Sequence, residues 1–293
     1  MEICSFRVAC SPVARLIDVM HLGNDRVIGA HELPGGLIVD PGPASCVESL
    51  LAGLAEEPRA LLLTHIHLDH AGASGVLCRR FPALRVYVHE VGAPHMIDPE
   101  KLLRSATRLY GDEMERLWGE VAPVPAERLT ALGESGDAEG LRYVHAPGHA
   151  SHHVAYLDEA SGDAYVGDVG GVRIPPSTRT FAPTPPPDID QEAWLGSLDR
   201  VASWKPSRLH LTHFGAFDAD QQLEAARVAV RLAAERSEAG DREAFMAALE
   251  ADLGEQPEDV AARFRQAAPP DQLWQGMERY WRKRHEREAA RDE

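Results

Sequence analysis

Four side chains able to bind a metal fall within six residues of the segment Thr64-His65-Ile66-His67-Leu68-Asp69-His70. The segment follows the apolar run Leu61-Leu62-Leu63 and precedes a helix-like stretch, AGASGVLCRRF. Alternate residues of a strand share a face, so His65 and His67 point the same way, while Asp69 and His70 fall at the start of the incoming helix. One turn can therefore address two metal ions. Histidine runs also occur in tags and disordered tails, but this one is interrupted by Ile, Leu and Asp and lies inside the chain behind a strand.

Three further positions complete a coordination set, each at a strand end beside a small residue. They are His149 in Ala-Pro-Gly-His, Asp168 in Val-Gly-Asp-Val-Gly-Gly and His213 in Leu-Thr-His-Phe-Gly. Taken singly, each reads equally well as a hydrogen-bonded core histidine or a turn aspartate. Behind the first motif, and in this order, they extend it to seven candidate ligands.

With those residues in view, the chain resembles the metallo-β-lactamase superfamily over nearly all of residues 1–215. The superfamily's early aspartate, His-x-His-x-Asp-His motif, distal His, bridging Asp and final His are matched by Asp40, His65 to His70, His149, Asp168 and His213. The resemblance implies that His65, His67 and His149 hold one metal, that Asp69, His70 and His213 hold a second, and that Asp168 bridges them. Asp40 would support the ligand turn through hydrogen bonds without touching metal. It also implies an α/β (α+β) fold, a four-layer αββα sandwich with the site at one edge of its two sheets.

The chemistry of the donors agrees with that implication. Imidazoles and carboxylates without a thiolate suit two divalent ions, Zn²⁺ first, with Fe or Mn also compatible. A pair of cations about 3.5–4 Å apart brings the pKa of a bridging water toward neutrality and polarises a carbonyl or phosphoryl oxygen. The expected nucleophile is thus a metal-bridging hydroxide, oriented by Asp69, with no need for a serine or cysteine. Metal ligands alone do not separate the branches of the superfamily. We expect a metal-dependent hydrolase of small esters, thioesters or lactones, with phosphoesters open to the same centre. The alternative is a mononuclear iron persulfide dioxygenase of the same fold. A ribonuclease Z-like role is disfavoured by the acidic charge, and no cluster of Arg and Lys near the C-terminus matches the glutathione site expected of a hydroxyacylglutathione hydrolase.

The elements that must position these residues follow from hydrophobic pattern. Candidate strands are residues 35–40, 59–65, 84–90, 141–147, 152–158, 163–168 and 207–213, several of which end in Asp or His. Ligands in α/β folds gather outside the carboxyl ends of strands. The predicted catalytic domain spans 1–217 and contains a helical insert at about 91–125. There Leu102, Leu103, Ala106, Leu109, Tyr110, Met114, Leu117 and Trp118 recur at helical spacing. The insert would be a lid, a packing helix or a dimer surface. A helical C-terminal appendage spans 218–293, interrupted at Gly240, Gly254 and Pro269-Pro270, and its last helix carries an aromatic packing stripe of Leu273, Trp274, Met277, Tyr280 and Trp281. A Pro-rich loop occupies about 174–187.

Of the remaining candidates, His153 is expected to face inward near the metals as a support or substrate contact, with its neighbour His152 outward. Tyr110 is placed to donate a hydrogen bond to a developing oxyanion. His89, His95 and His210 read as core or surface histidines. The 293 residues carry a formal charge of −16, a field that repels phosphate backbones, so the expected partner is a small molecule and not nucleic acid. No apolar run is long enough for a membrane span and the N-terminus lacks a signal pattern, so a cytoplasmic location is expected. Cys4, Cys10, Cys46 and Cys78 form no Cys-x-x-Cys pair and read as reduced, mostly buried thiols. The apolar stripes of the insert and last helix would suit a homodimer.

Overall fold

The computed structural model describes residues 14–291, so Cys4 and Cys10 lie outside the described residues. Its first half runs β1 (Arg15–Asp18), β2 (Gly29–Leu33), β3 (Leu37–Val39), α1 (Val47–Gly53), β4 (Ala60–Leu62), α2 (Leu68–Ala71), α3 (Ser74–Arg80), β5 (Arg85–His89), α4 (Ala93–Ile97), α5 (Glu100–Tyr110), α6 (Met114–Trp118) and β6 (Leu129–Leu132). The second half continues with β7 (Ser135–Ala138), β8 (Leu141–His145), β9 (Val154–Asp158), β10 (Asp163–Tyr165), α7 (Gln191–Ser203), β11 (Arg208–Leu211) and β12 (Gly215–Asp218). It ends in α8 (Ala219–Ser237), α9 (Arg242–Gly254), α10 (Glu258–Ala267) and α11 (Pro270–Ala289).

Two six-stranded sheets result, one in the order β1 to β6 and the other in the order β12 to β7. Strand alternation explains why they stack. In β3, Leu37 and Val39 enter the core between the sheets, whereas Ile38 faces the outer helices. In β4, Ala60 and Leu62 point inward and Leu61 outward. A parallel strand of this kind is apolar on both faces, and β3 to β6 pair in parallel. On the second sheet, Val154 and Tyr156 of β9 face inward while Ala155 and Leu157 meet the layer of α7, α8 and α11. Each fully buried Leu or Val contributes about 1.5–3 kcal/mol over its exposed state. The order of layers is helix, sheet, sheet, helix, as the resemblance implied.

All seven expected strands form. Five others, β1, β2, β6, β7 and β12, were not anticipated, because segments such as Gly29–Leu33 (GAHEL) and Ser135–Ala138 (SGDA) lack a clean apolar alternation. The strand expected from residue 152 begins at Val154, so His152 and His153 lie in the turn before it. The apolar stripe of the insert divides between two helices, α5 and α6, with α4 before them. Gly111 adopts φ 52°, a left-handed conformation that favours glycine, and separates α5 from α6.

The C-terminal region breaks where Gly and Pro suggested, with Gly240 at φ 68° between α8 and α9. Helices α7, α8 and α9 each start from an aspartate, Asp190, Asp218 and Asp241, whose side chain accepts a backbone N–H of the first turn. On α11, Leu273, Trp274, Met277 and Tyr280 are buried, and the α5 stripe also turns inward against Leu68 and Trp118. Cys46 and Cys78 are free, buried thiols. Among the described residues, no helix is long and apolar enough to cross a membrane.

Candidate metal centre

The residues nominated from sequence arrive from five separate connections. Asp40 follows β3, His65 to His70 follow β4, His149 follows β8, Asp168 sits in a tight turn after β10 and His213 follows β11. Two glycines permit the close approach this needs. A side chain at Gly148, which has φ 136°, would stand 2.3 Å from the Trp194 backbone. One at Gly167, with φ 45°, would stand 2.5 Å from the Thr64 hydroxyl.

The side chains form two adjacent groups. His65, His67, His149 and Asp168 bring ligand atoms within 4.8 Å of one another, and Asp69, His70 and His213 do the same. Asp168 lies between them: its Oδ2 is 3.3 Å from His149 Nε2, and its Oδ1 is 3.2 Å from His70 Nε2 and 3.5 Å from His213 Nε2. Asp69 Oδ2 is 3.4 Å from His213 Nε2.

Hydrogen bonds behind the rings determine which nitrogen each one presents. His149 Nδ1 donates to the Pro183 carbonyl at 2.8 Å and His213 Nδ1 to the Val27 carbonyl at 2.6 Å, leaving both Nε2 atoms facing the centre. His70 Nδ1 donates to Asp40 Oδ2 at 2.8 Å. Asp40 also accepts from the Thr64 backbone N–H, the Thr64 hydroxyl and the Thr212 hydroxyl, at 2.7, 2.6 and 3.0 Å. Because the Thr64 hydroxyl spends its proton on Asp40, it accepts from His65 Nδ1 at 3.1 Å, which directs His65 Nε2 inward. This outer layer of carboxylate and carbonyl partners is the arrangement that fixes imidazole ligands.

The inner atoms have no comparable partners. His65 Nε2, His70 Nε2, His213 Nε2 and Asp168 Oδ1 are buried without a hydrogen bond, which costs free energy unless something else satisfies them. His67 Nδ1 and His149 Nε2 stand 3.0 Å apart. Two nitrogens each about 2.0–2.1 Å from one tetrahedral ion would stand about 3.3 Å apart, so the donor set fits a cation closely.

Electrostatics point the same way. Burial, reinforced by neighbouring histidines, holds His65 well below the ordinary imidazole value and takes His67 down to about 4. Burial also opposes a charge on His70 and His213, but the carboxylates of Asp168 and Asp69 outweigh it and raise both. Asp69 and Asp168 are held below the usual carboxylate range by these histidines, against the effect of burial. Three carboxylates, Asp40, Asp69 and Asp168, thus converge on a site that calls for positive charge, and an ion entering would displace protons.

The centre opens onto a cavity of about 390 Å³ whose lining includes His67, Asp69, Asp168 and His213. Tyr110 lines it too, with its hydroxyl 3.3 Å from Gln272 Oε1, and burial pushes that phenol upward. His153 was expected inward as a support or substrate contact, and it lies inward: it is fully buried and stacks on His65 with centroids 5.0 Å apart, behind the cavity lining, the place of a support. His152 lines the cavity instead.

Other residues were missed from sequence. His21 lines the cavity, stacks on Trp118 at 5.4 Å and contacts Gln266 at 3.0 Å across 245 positions of sequence, a separation no local pattern reveals. Gln266 to Leu273 also contribute to the lining, so the C-terminal appendage is part of the cavity wall. His95 lies on the lining and His210 packs on Asp163 at 3.1 Å. A third group, His89, Glu134 and His145, has its two rings face to face at 4.0 Å and 12°, an arrangement in which neither ring plane points at a shared ion.

Comparison with known proteins supports this architecture. A hydroxyacylglutathione hydrolase of Synechococcus sp. (strain JA-2-3B'a(2-13)) is 32% identical over 167 residues, covering 56% of this chain and 52% of that protein. The chain therefore spans about half the length of such a relative. A metallo-beta-lactamase family protein from Thermus thermophilus superposes with a TM-score of 0.60 at 23% identity, covering 93% of this chain and 94% of the other. That likeness extends the shared fold through the C-terminal helices. The di-iron-bound form of TTHA1623 matches with a TM-score of 0.52 at 27% identity, over 68% of this chain and 93% of the other. The metallo-beta-lactamase superfamily pattern itself matches residues 35–213, from the strand leading to Asp40 to the last histidine of the cluster. With that match spanning more than half of its length, the chain belongs to the metallo-beta-lactamase superfamily.

Proposed function

We propose that this protein is a metal-dependent hydrolase of small esters, thioesters or lactones. One observation carries the reading: seven side chains converge in two adjacent groups, with buried, unpartnered nitrogen and oxygen atoms, beside a cavity that His67, Asp69, Asp168 and His213 line. His65, His67 and His149 would hold one cation and Asp69, His70 and His213 the other, with Asp168 reaching both. Zinc suits this donor set, and the di-iron relative keeps iron as the alternative. A bound pair supplies water acidified toward neutral pH and a Lewis acid for the carbonyl oxygen.

The protein's own groups do the rest. Asp69, near the second group yet still reaching the cavity, orients the attacking water. Tyr110 keeps its proton and donates to the oxygen that gains charge as the acyl carbon becomes tetrahedral. His152, held neutral by burial, offers a hydrogen bond to the substrate from the cavity wall. Phosphoester cleavage at the same centre would be secondary.

Elemental analysis combined with a panel of lactone, ester, thioester and phosphodiester substrates, before and after chelation, tests the reading. Two metals per chain with chelator-sensitive acyl cleavage is the expected result. One iron per chain, no hydrolysis, and oxygen consumption with a persulfide would transfer the protein to the dioxygenase alternative. Tyr110→Phe should lower kcat about tenfold or more with little change in KM, the signature of a donor acting on the transition state.

A further inference from the structure

We infer that the substrate of this centre carries an apolar acyl group of several carbons, laid along the wall formed by the insert and the C-terminal helices. The inference rests on the hydrolase reading above and adds the substrate class to it.

The cavity has two unlike ends. At one are the metal-site residues. The other begins immediately beside them, because Leu68, between His67 and Asp69, packs in one apolar cluster with Ala106 and Trp118, joined by Leu102, Tyr110 and Leu117. Leu273 and the Ala267 to Pro269 turn also line the cavity. Because Leu68 directly joins two of the ligand residues, an acyl carbonyl held at them has this cluster beside it.

Charge excludes the main competitor. Among the described residues lining the cavity, Lys101 is the one Lys or Arg, and Asp188 on the lining is already engaged by the Ser151 hydroxyl at 2.6 Å. A glutathione thioester would bring two carboxylates to a surface with a single lysine. An alkyl chain brings none, and it removes Leu and Trp surface from water.

The cavity, of about 390 Å³, has room for a chain of several carbons beside the reacting atoms. The reaction is balanced without a co-reactant. Water adds its oxygen to the acyl carbon, the acyl–oxygen or acyl–sulfur bond breaks, and the departing alcohol or thiol takes the proton.

The test is a chain-length series on the metal-loaded protein. Esters of one alcohol, from acetyl to dodecanoyl, should show kcat/KM rising about fourfold per methylene, the factor corresponding to about 0.8 kcal/mol, and levelling once the chain outgrows the wall. Acetate esters of progressively longer alcohols should stay flat. A flat acyl series, or a rise confined to the alcohols, overturns the inference. Leu109→Trp, which narrows the wall, should move the plateau to shorter chains, and an unmoved plateau counts against the wall as the chain's location. If no ester is cleaved at all, the hydrolase reading has failed, and calorimetric binding of the carboxylates from butanoate to decanoate judges the wall separately. Affinity climbing with length supports it, and affinity independent of length overturns it.

Discussion

The two ends of the cavity are built by different means. At the polar end, His70, His149 and His213 each have the outer ring nitrogen tied to Asp40, Pro183 or Val27, anchors that lie just after β3, in the Pro-rich loop and just before β2. At the apolar end, α5 and α6 pack on Leu68 through apolar side chains, and the α10–α11 turn completes the lining. A few polar links join them to their surroundings: Tyr110 to Gln272 at 3.3 Å, Gln266 to His21 at 3.0 Å and Asn24 to Gln266 at 2.7 Å. A reacting centre must hold its groups within a fraction of an ångström, which rigid elements do best, whereas a wall that selects by apolar area tolerates looser construction. On the proposed reading, chemistry resides in the sandwich and selectivity in what is laid over it.

Four substitutions would break or sharpen that contrast. Asp168→Ala removes the carboxylate between the two groups and should bring metal content to one ion per chain or fewer, with hydrolysis reduced to the level of the chelated protein for short and long acyl chains alike. Retention of both metals would refute the position given to Asp168. Asp40→Asn keeps the shape but weakens the anchor shared by His70, Thr64 and Thr212. A loss of about 10- to 100-fold in metal affinity is expected in a competition titration; an unchanged affinity would mean that the ligand turn holds itself.

His31 probes the sandwich without touching the centre. Buried between the sheets with Nε2 donating to the Leu211 carbonyl at 3.2 Å, it is held down to about 3 by burial and by nearby His210. Below pH 6.5 the unfolded chain takes up a proton that the folded chain refuses. The associated stability is complete above pH 6.5 and is lost as pH falls toward 3, at about 1.4 kcal/mol per pH unit. His31→Gln should flatten the pH dependence of the urea midpoint by about 2 kcal/mol between pH 6.5 and pH 5. Equal slopes in the two proteins would remove His31 from the account. The smallest effect belongs to Gln266→Ala, which loosens the joint between α10 and His21. We expect a few-fold loss confined to long acyl chains and a change in stability of about 1 kcal/mol. An equal loss on acetyl esters would show that the two ends are not separable.

Much of the polar end was legible in the sequence because imidazoles and carboxylates at short spacing announce themselves wherever they occur. Asp40, His65 to His70, His149, Asp168 and His213 were all nominated, and they all meet. The apolar end was only half legible. The α5 stripe was plain at helical spacing, but its role depends on Leu68 and on a turn more than 150 residues further along, a pairing no local pattern encodes. Strand alternation over residues 152–158 placed His153 inward, where it lies, but sent His152 outward, whereas His152 is buried and lines the cavity. Those two histidines lie in the turn before β9, where that periodicity does not operate.

Leu68 stands between two of the candidate ligands while its side chain belongs to the apolar cluster of α5 and α6. Reshaping the pocket there would disturb the backbone that carries His67 and Asp69. Selectivity and turnover therefore share one position at which neither can be adjusted alone. Anyone transplanting a different insert onto this scaffold would have to redesign that leucine together with it, and natural drift in substrate preference should be slowest at the same point.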